Sequence, residues 1–122
     1  EIYAAVEALP EVLDSMVIDL EYLGRESRMI LFVVLRAGYS LDATVQGRIH
    51  EAIKTAVSPR FLPDLTLQAP EIPRTLSGKK QEVPIKKVFL GQPLAKVVNK
   101  DAMANPACLD WYVEQFRLTQ VG

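Results

Sequence analysis

The sequence predicts a small α+β domain in which helices pack on a short β-sheet. Three observations lead to this prediction. Apolar residues recur at helical spacing near the start, an alternating stretch is followed by a continuous apolar run, and a longer amphipathic helix comes next. The predicted order of elements is α-β-β-α-β-loop-α. The 122 residues are 49% hydrophobic and 24% charged, which is typical of one globular domain.

The first elements are a helix and two strands. Ile2, Val6 and Leu9 share one helical face, and Pro10 ends that helix. Residues 12–22 predict a half-buried strand, and 24–27 predict a turn. The apolar run at 29–35 predicts a central strand that is covered on both faces.

A long helix is predicted from about residue 43 to residue 57. Ser40 or Asp42 is expected to cap its start, and the Ser58-Pro59 pair ends it. Its buried stripe is expected to consist of Val45, Ile49, Ala52, Ile53 and Ala56.

The remaining elements are shorter. Residues 65–69 predict a strand, and Pro73 and Gly78 bracket a loop or hairpin tip. Pro84 fits the first turn of a short helix that runs to about Leu90. Residues 94–108 are expected to be irregular. A last helix over 109–118 is expected to pack through Leu109, Val113 and Phe116, with Trp111 and Tyr112 anchoring the end of the chain.

Basic residues are concentrated in one segment of an otherwise acidic chain. Residues 74–100 contain seven basic groups and one acidic group, although the net charge of the whole chain is −1. This distribution indicates an anionic ligand near the basic segment, or alternatively a solvated basic surface.

Lys79 stands next to the predicted tip within this basic segment. Gly78 permits a tight turn, and the hydroxyl groups of Thr75 and Ser77 lie beside it in the sequence. A lysine at such a tip can meet a phosphate or carboxylate as a compact charge. Alternatively, the Ser-Gly-Lys triplet is only a solvated turn.

The residues around this tip resemble a known signature. The stretch at 73–79, Pro-Arg-Thr-Leu-Ser-Gly-Lys, resembles the P-K-T-x-S-G-K motif of the adenylate-forming superfamily. The continuation at 79–87, Lys-Lys-Gln-Glu-Val-Pro-Ile-Lys-Lys, resembles the acetoacetyl-CoA synthetase subfamily. The resemblance implies the mobile C-terminal domain of these enzymes, with a small mixed sheet of about three strands plus a hairpin. The resemblance covers nearly the whole chain. The domain it implies spans residues 1–122, with 93–122 as a subfamily extension and the large N-terminal domain outside this chain.

The resemblance also implies an activity. Such enzymes join ATP and a carboxylic acid, here a short acid such as acetoacetate, into an acyl-adenylate, and then transfer the acyl group to CoA. Lys79 matches the lysine that stabilises the adenylation transition state, while Thr75, Ser77 and Gly78 shape its loop. Lys54 matches a basic position able to meet CoA phosphates, or it is a surface lysine near a helix end.

Other expectations concern cofactors, partners and rival functions. ATP and Mg²⁺ are expected to bind mainly to the N-terminal domain, so the chain alone is expected to be inactive. Lys79 is a candidate for reversible acetylation by an acetyltransferase and a deacylase. His50 and Cys108 show no metal-ligand spacing, and the single cysteine fits the cytoplasm. No membrane or nucleic-acid partner is expected. The rivals are a basic module that binds an acidic partner and a metabolite-binding regulatory domain.

Overall fold

The computed structural model of the chain describes residues 1–20 and 28–119. The chain divides into two compact units, Glu1–Ala69 and Pro70–Gly122. The predicted end of the first strand at Tyr22 and the turn predicted after it lie outside the described residues.

The described residues of the first unit form two helices and three strands. In chain order they are α1 (Ile2–Glu7), β1 (Val12–Leu20), β2 (Arg28–Leu35), α2 (Ala43–Ala56), a 3-10 turn (Pro59–Phe61) and β3 (Leu65–Gln68). The predicted order and types are confirmed. The two helices end one or two residues before their predicted ends, where local turns take over.

β2 is the central strand of a mixed sheet with the order β1-β2-β3. It pairs with β1 in the antiparallel direction and with β3 in the parallel direction. Since a parallel pair needs a long crossover, α2 stands between β2 and β3 in the chain. Four successive residues of β2 are fully buried, as its apolar run predicts: Ile30, Leu31, Phe32 and Val33.

An apolar cluster joins one face of this sheet to α1 and α2. Its members are Val6, Val12, Leu31, Val33, Val45, Ile49 and Ile53. Asp42, rather than Ser40, caps α2, because its Oδ1 accepts a hydrogen bond from Val45 N at 2.9 Å. The prediction that Ala56 lies in the buried stripe is wrong. Ala56 is exposed, because the cluster ends at Ile53 and the helix ends at Ala56.

β1 is an edge strand whose outer side is partly satisfied by α1. The Tyr3 hydroxyl accepts a hydrogen bond from Val17 N at 2.9 Å. The fully buried hydroxyl of Ser15 donates to Glu7 Oε2 at 2.6 Å. These bonds attach α1 to β1. The bond to Tyr3 also occupies the Val17 N–H, a donor that an open strand edge would otherwise offer to another chain.

A buried carboxylate joins the start of β1 to α2. Glu11 is 7% exposed, and both of its carboxylate oxygens contact the guanidinium group of Arg48. Its backbone carbonyl accepts a hydrogen bond from Arg36 N at 2.9 Å. The hydrogen bond from Arg48 holds the pKa of Glu11 below its ordinary value, even though burial acts in the opposite direction.

In the second unit, residues 70–119 form three helices and two 3-10 turns. In chain order they are α3 (Glu82–Phe89), α4 (Leu94–Val97), the turns Lys100–Ala102 and Pro106–Cys108, and α5 (Leu109–Thr119). α3 packs against α5, where the Phe89 and Phe116 rings meet edge to face at 5.8 Å between centroids. Leu109 and Tyr112 are fully buried on α5, whereas the predicted Val113 is only partly buried.

The prediction that residues 94–108 are irregular is wrong in part. This stretch contains α4, both 3-10 turns and a single antiparallel bridge from Met103 to Thr75. Such short helices carry too few residues for an apolar period to be visible. Their positions follow from local features instead, such as the Asn99 side chain, which accepts a hydrogen bond from Asp101 N at 3.1 Å.

We predict that the ion pair of Glu11 makes stability depend on pH. Because the folded pKa of Glu11 is depressed, its stabilising contribution is present above the ordinary carboxyl pKa and is lost as pH falls through the folded value. Glu11→Gln removes the charge at nearly constant shape. Urea unfolding at neutral and acidic pH should therefore show a smaller loss of stability on acidification for this variant than for the parent chain. An equal loss in both proteins would contradict the prediction.

Candidate functional site

The predicted tip is a hairpin-like turn whose two arms are joined by hydrogen bonds. Arg74 and Lys80 form an antiparallel bridge at its base. Thr75 N donates to Lys79 O at 2.9 Å, and Lys79 N donates back to Thr75 Oγ1 at 3.0 Å. The Thr75 hydroxyl therefore ties the backbone of Lys79 to the opposite side of the turn.

Gly78 and Ser77 complete this turn. Gly78 has φ of 91°, a left-handed conformation that glycine adopts most easily, and its N–H donates to Thr75 O at 2.9 Å. Ser77 Oγ lies 3.0 Å from Thr75 Oγ1. Arg74 Nη1 donates to Gly78 O at 2.7 Å across the turn. The predicted loop residues Thr75, Ser77 and Gly78 thus lie together beside Lys79.

The side chain of Lys79 is exposed at this turn. In the described part of the chain, its ammonium group makes no hydrogen bond or ion pair. The neighbouring Leu76 is also exposed, at 70% of its surface. The backbone of Lys79 is therefore held in place while its charge remains available to a ligand.

Lys54, the predicted CoA-phosphate contact, lies in the first unit. It is exposed in the last turn of α2, where a positive charge interacts favourably with the negative end of the helix dipole. The tip residues lie in the second unit, so the site residues predicted from the sequence fall into two groups.

Asn105 holds the stretch that leads into the tip, and no sequence pattern predicts this role. The side-chain amide of Asn105 bonds to the backbone of both Ile72 and Arg74. The Asn105-Pro106 pair signals a turn, but no local pattern indicates a contact with a residue 31 positions earlier. The anchoring predicted for Tyr112 is confirmed, since its hydroxyl donates to Glu71 O at 2.7 Å.

Other candidate groups show no comparable arrangement. Burial raises the pKa of the Cys108 thiol to about 11, and the negative charge of Glu71 adds to this effect, so the thiol stays protonated at neutral pH. His50 Nε2 is buried without a hydrogen-bond partner among the described residues. Those residues contain no group of three or more His, Cys, Asp or Glu side chains suited to a metal ion. Within the same residues, no helix has the length and apolarity needed to span a bilayer.

We predict opposite effects for alanine at two glycines. A Cβ would meet no atom within 4 Å at either Gly78 or Gly47, so only backbone conformation distinguishes them. Gly78→Ala should lower the free energy of unfolding by about 1–2 kcal/mol because of its positive φ. Gly47→Ala, within α2, should raise it by about 0.5–1 kcal/mol. Urea unfolding of both variants measures this, and a Gly78→Ala variant as stable as the parent would contradict it.

Comparisons with known proteins show which proteins this chain is similar to. No protein-family model matches it. The chain is 40% identical over 112 residues to the acetoacetyl-CoA synthetase of Danio rerio, and this match covers 92% of the chain and 16% of that relative. The acetoacetyl-CoA synthetase structure from Streptomyces lividans superposes with a TM-score of 0.88 at 43% identity, over 97% of this chain and 18% of that one.

A more distant structure shares the fold. The acyl-CoA synthetase from Brucella canis matches 70% of this chain and 16% of its own length, with a TM-score of 0.63 at 23% identity. The chain thus spans about a sixth of the length of the relatives that it matches and has their mixed sheet and helices. The predicted fold class and family resemblance are confirmed. The chain is similar over nearly its whole length to the C-terminal domain of acetoacetyl-CoA synthetases.

Proposed function

We propose that Lys79 is the adenylation lysine of an acyl-CoA synthetase that activates a short carboxylic acid with ATP. The observation that supports this role most directly is the exposed Lys79 ammonium group on a turn whose backbone is hydrogen-bonded on both sides. Lys79 also ends the signature motif that runs from Pro73. The similarity to synthetase domains favours this function over a binding module or a regulatory domain.

The chemistry explains why an exposed cation is needed. In the first half-reaction, a carboxylate oxygen bonds to the α-phosphorus of ATP, the bond to the bridging oxygen breaks, and pyrophosphate leaves. Negative charge builds on the phosphoryl oxygens while the carboxylate must stay close. An ammonium group that contacts both would align the reactants and stabilise the developing charge.

The second half-reaction would consume the acyl-adenylate. The sulfur of CoA attacks the acyl carbonyl carbon, AMP leaves, and the thiol proton is released. We propose acetoacetate as the acid, because relatives at 37–40% identity are named acetoacetyl-CoA synthetases. The described residues contain no group of three or more His, Cys, Asp or Glu side chains suited to a metal ion, and Mg²⁺ would be held mainly by the N-terminal domain.

The full-length protein would contain this domain and a larger one. The domain would span residues 1–122, with 93–122 as an extension, and would work against a large N-terminal domain that binds most of the ATP and acid. We place the enzyme in the cytoplasm, in keeping with the single cysteine of this chain. Acetylation of the exposed Lys79 would remove the charge and stop adenylation.

Replacement of the lysine is expected to separate the two half-reactions. In the full-length synthetase, Lys79→Ala should slow acid-dependent ATP–pyrophosphate exchange by a few hundredfold, or about 3–4 kcal/mol. Thioester formation from supplied acyl-adenylate and CoA should remain near the parent rate, because the lysine acts only in the first step.

Lys80→Ala is the matched control for this variant. It removes the same charge one residue further along, at the base of the turn, and should slow adenylation far less. An equal loss of both half-reactions in Lys79→Ala would show that the assigned role is wrong.

A further prediction concerns Lys54 and CoA. We propose that the exposed Lys54 ammonium group meets a CoA phosphate in the second half-reaction. Lys54→Ala should then raise the KM for CoA by about tenfold, the cost of one charged hydrogen bond, and leave pyrophosphate exchange unchanged. Dephospho-CoA shows which phosphate is involved: if it is the 3′-phosphate, the KM for dephospho-CoA should not respond to the variant. An unchanged KM for CoA itself would make Lys54 a surface lysine only.

A further inference from the structure

The stretch that leads to Lys79 depends on residues from the end of the chain for its hydrogen bonds. Residues 71–76 belong to no named helix or strand, so their backbone groups need partners from elsewhere. Residues 102–112 supply five of them: Ala102 O accepts from Leu76 N (2.9 Å), Ala104 N donates to Arg74 O (3.0 Å), Asn105 Oδ1 accepts from Arg74 N (2.9 Å), Asn105 Nδ2 donates to Ile72 O (2.8 Å), and Tyr112 OH donates to Glu71 O (2.7 Å).

Asn105 occupies a special position among these partners. Its side-chain oxygen accepts from Arg74 N and its side-chain nitrogen donates to Ile72 O, two backbone groups that flank Pro73. A neighbouring strand would use its own peptide groups for this purpose. Pro73 lies between Ile72 and Arg74 and has no N–H of its own. The Asn105 side chain therefore bonds the backbone groups before and after the proline.

The contacts continue from Arg74 to the lysine. Arg74 forms the base of the turn opposite Lys80, and its guanidinium group donates to Gly78 O at 2.7 Å. Thr75, the next residue, bonds to the backbone of Lys79 in both directions. The Lys79 ammonium group has no partner of its own within the described residues, so its range of positions is set by this backbone.

We propose that Asn105 is a positioning residue for adenylation. Its side chain holds the backbone at Ile72 and Arg74, and this fixes the position and orientation of the turn that carries Lys79. This inference rests on the proposed function of Lys79. Loss of the amide would leave the turn intact but let its base shift. A shift of about 1 Å in a reacting group is enough to cost on the order of a hundredfold in rate.

The test uses the full-length synthetase and measures each half-reaction separately. Asn105→Ala should slow ATP–pyrophosphate exchange by about tenfold to a hundredfold and leave thioester formation from supplied acyl-adenylate unchanged. The unchanged second reaction also shows that the variant is folded. Asn105→Asp keeps the acceptor for Arg74 N but loses the donor to Ile72 O, and should fall between the parent and Asn105→Ala.

Asn99→Ala is the matched control. Asn99 lies in the same part of the chain, but within residues 1–20 and 28–119 its side chain bonds only to Asp101 N, two residues away, so both half-reactions should be unaffected. Amide hydrogen exchange gives a readout independent of chemistry. Asn105→Ala should speed exchange at Arg74 and Leu76, whereas Asn99→Ala should not.

A double variant tests whether Asn105 acts through the lysine. In the Lys79→Ala background, adding Asn105→Ala should not slow pyrophosphate exchange further, because the group being positioned is already gone. Additive losses, equal losses in both half-reactions, or no loss in the single variant would each overturn the positioning role. If Lys79→Ala itself leaves adenylation intact, the proposed function fails. Faster hydrogen exchange at the backbone amides of Asn105→Ala would then show only a structural role for the Asn105 side chain.

Discussion

The exposed position of Lys79 depends on backbone hydrogen bonds made by residues far from it in the chain. A long cation must be free to reach a ligand, yet its starting point must be fixed. The turn achieves both by placing every constraint on the backbone, through Thr75, Gly78 and Arg74, and none on the ammonium group within the described residues. Asn105 and Tyr112 also hold the backbone of residues 71–74, which leads into the turn.

A different constraint governs the first unit. Its parallel strand pair can form only with a long crossover, and α2 supplies it while burying three of its residues in the apolar cluster. The polar contacts of this unit lie at the edges of that core. Asp42 caps the start of α2, and Glu11 pairs with Arg48 at the start of β1. Core packing and these edge contacts together place Lys54, which is exposed at the end of the same helix.

The features predicted correctly have a local cause. The apolar run of β2, the alternation in β1 and the period of α2 each follow from neighbouring residues, since burial on one or both faces repeats every few positions. The members of the tip, Thr75 to Lys79, were also found because they are contiguous in one motif. The short helices after residue 93 were missed in part because three or four residues cannot display a period.

The sequence by itself determined the order of elements in the first unit, the basic segment and the motif that ends in Lys79. Only the tertiary structure decided which residues hold that motif. Asn105 meets Arg74 across 31 positions, and Tyr112 meets Glu71 across 41. Contacts of this kind leave no periodic or local trace, because the partner of a backbone group is set by where the chain returns in space rather than by its neighbours in sequence.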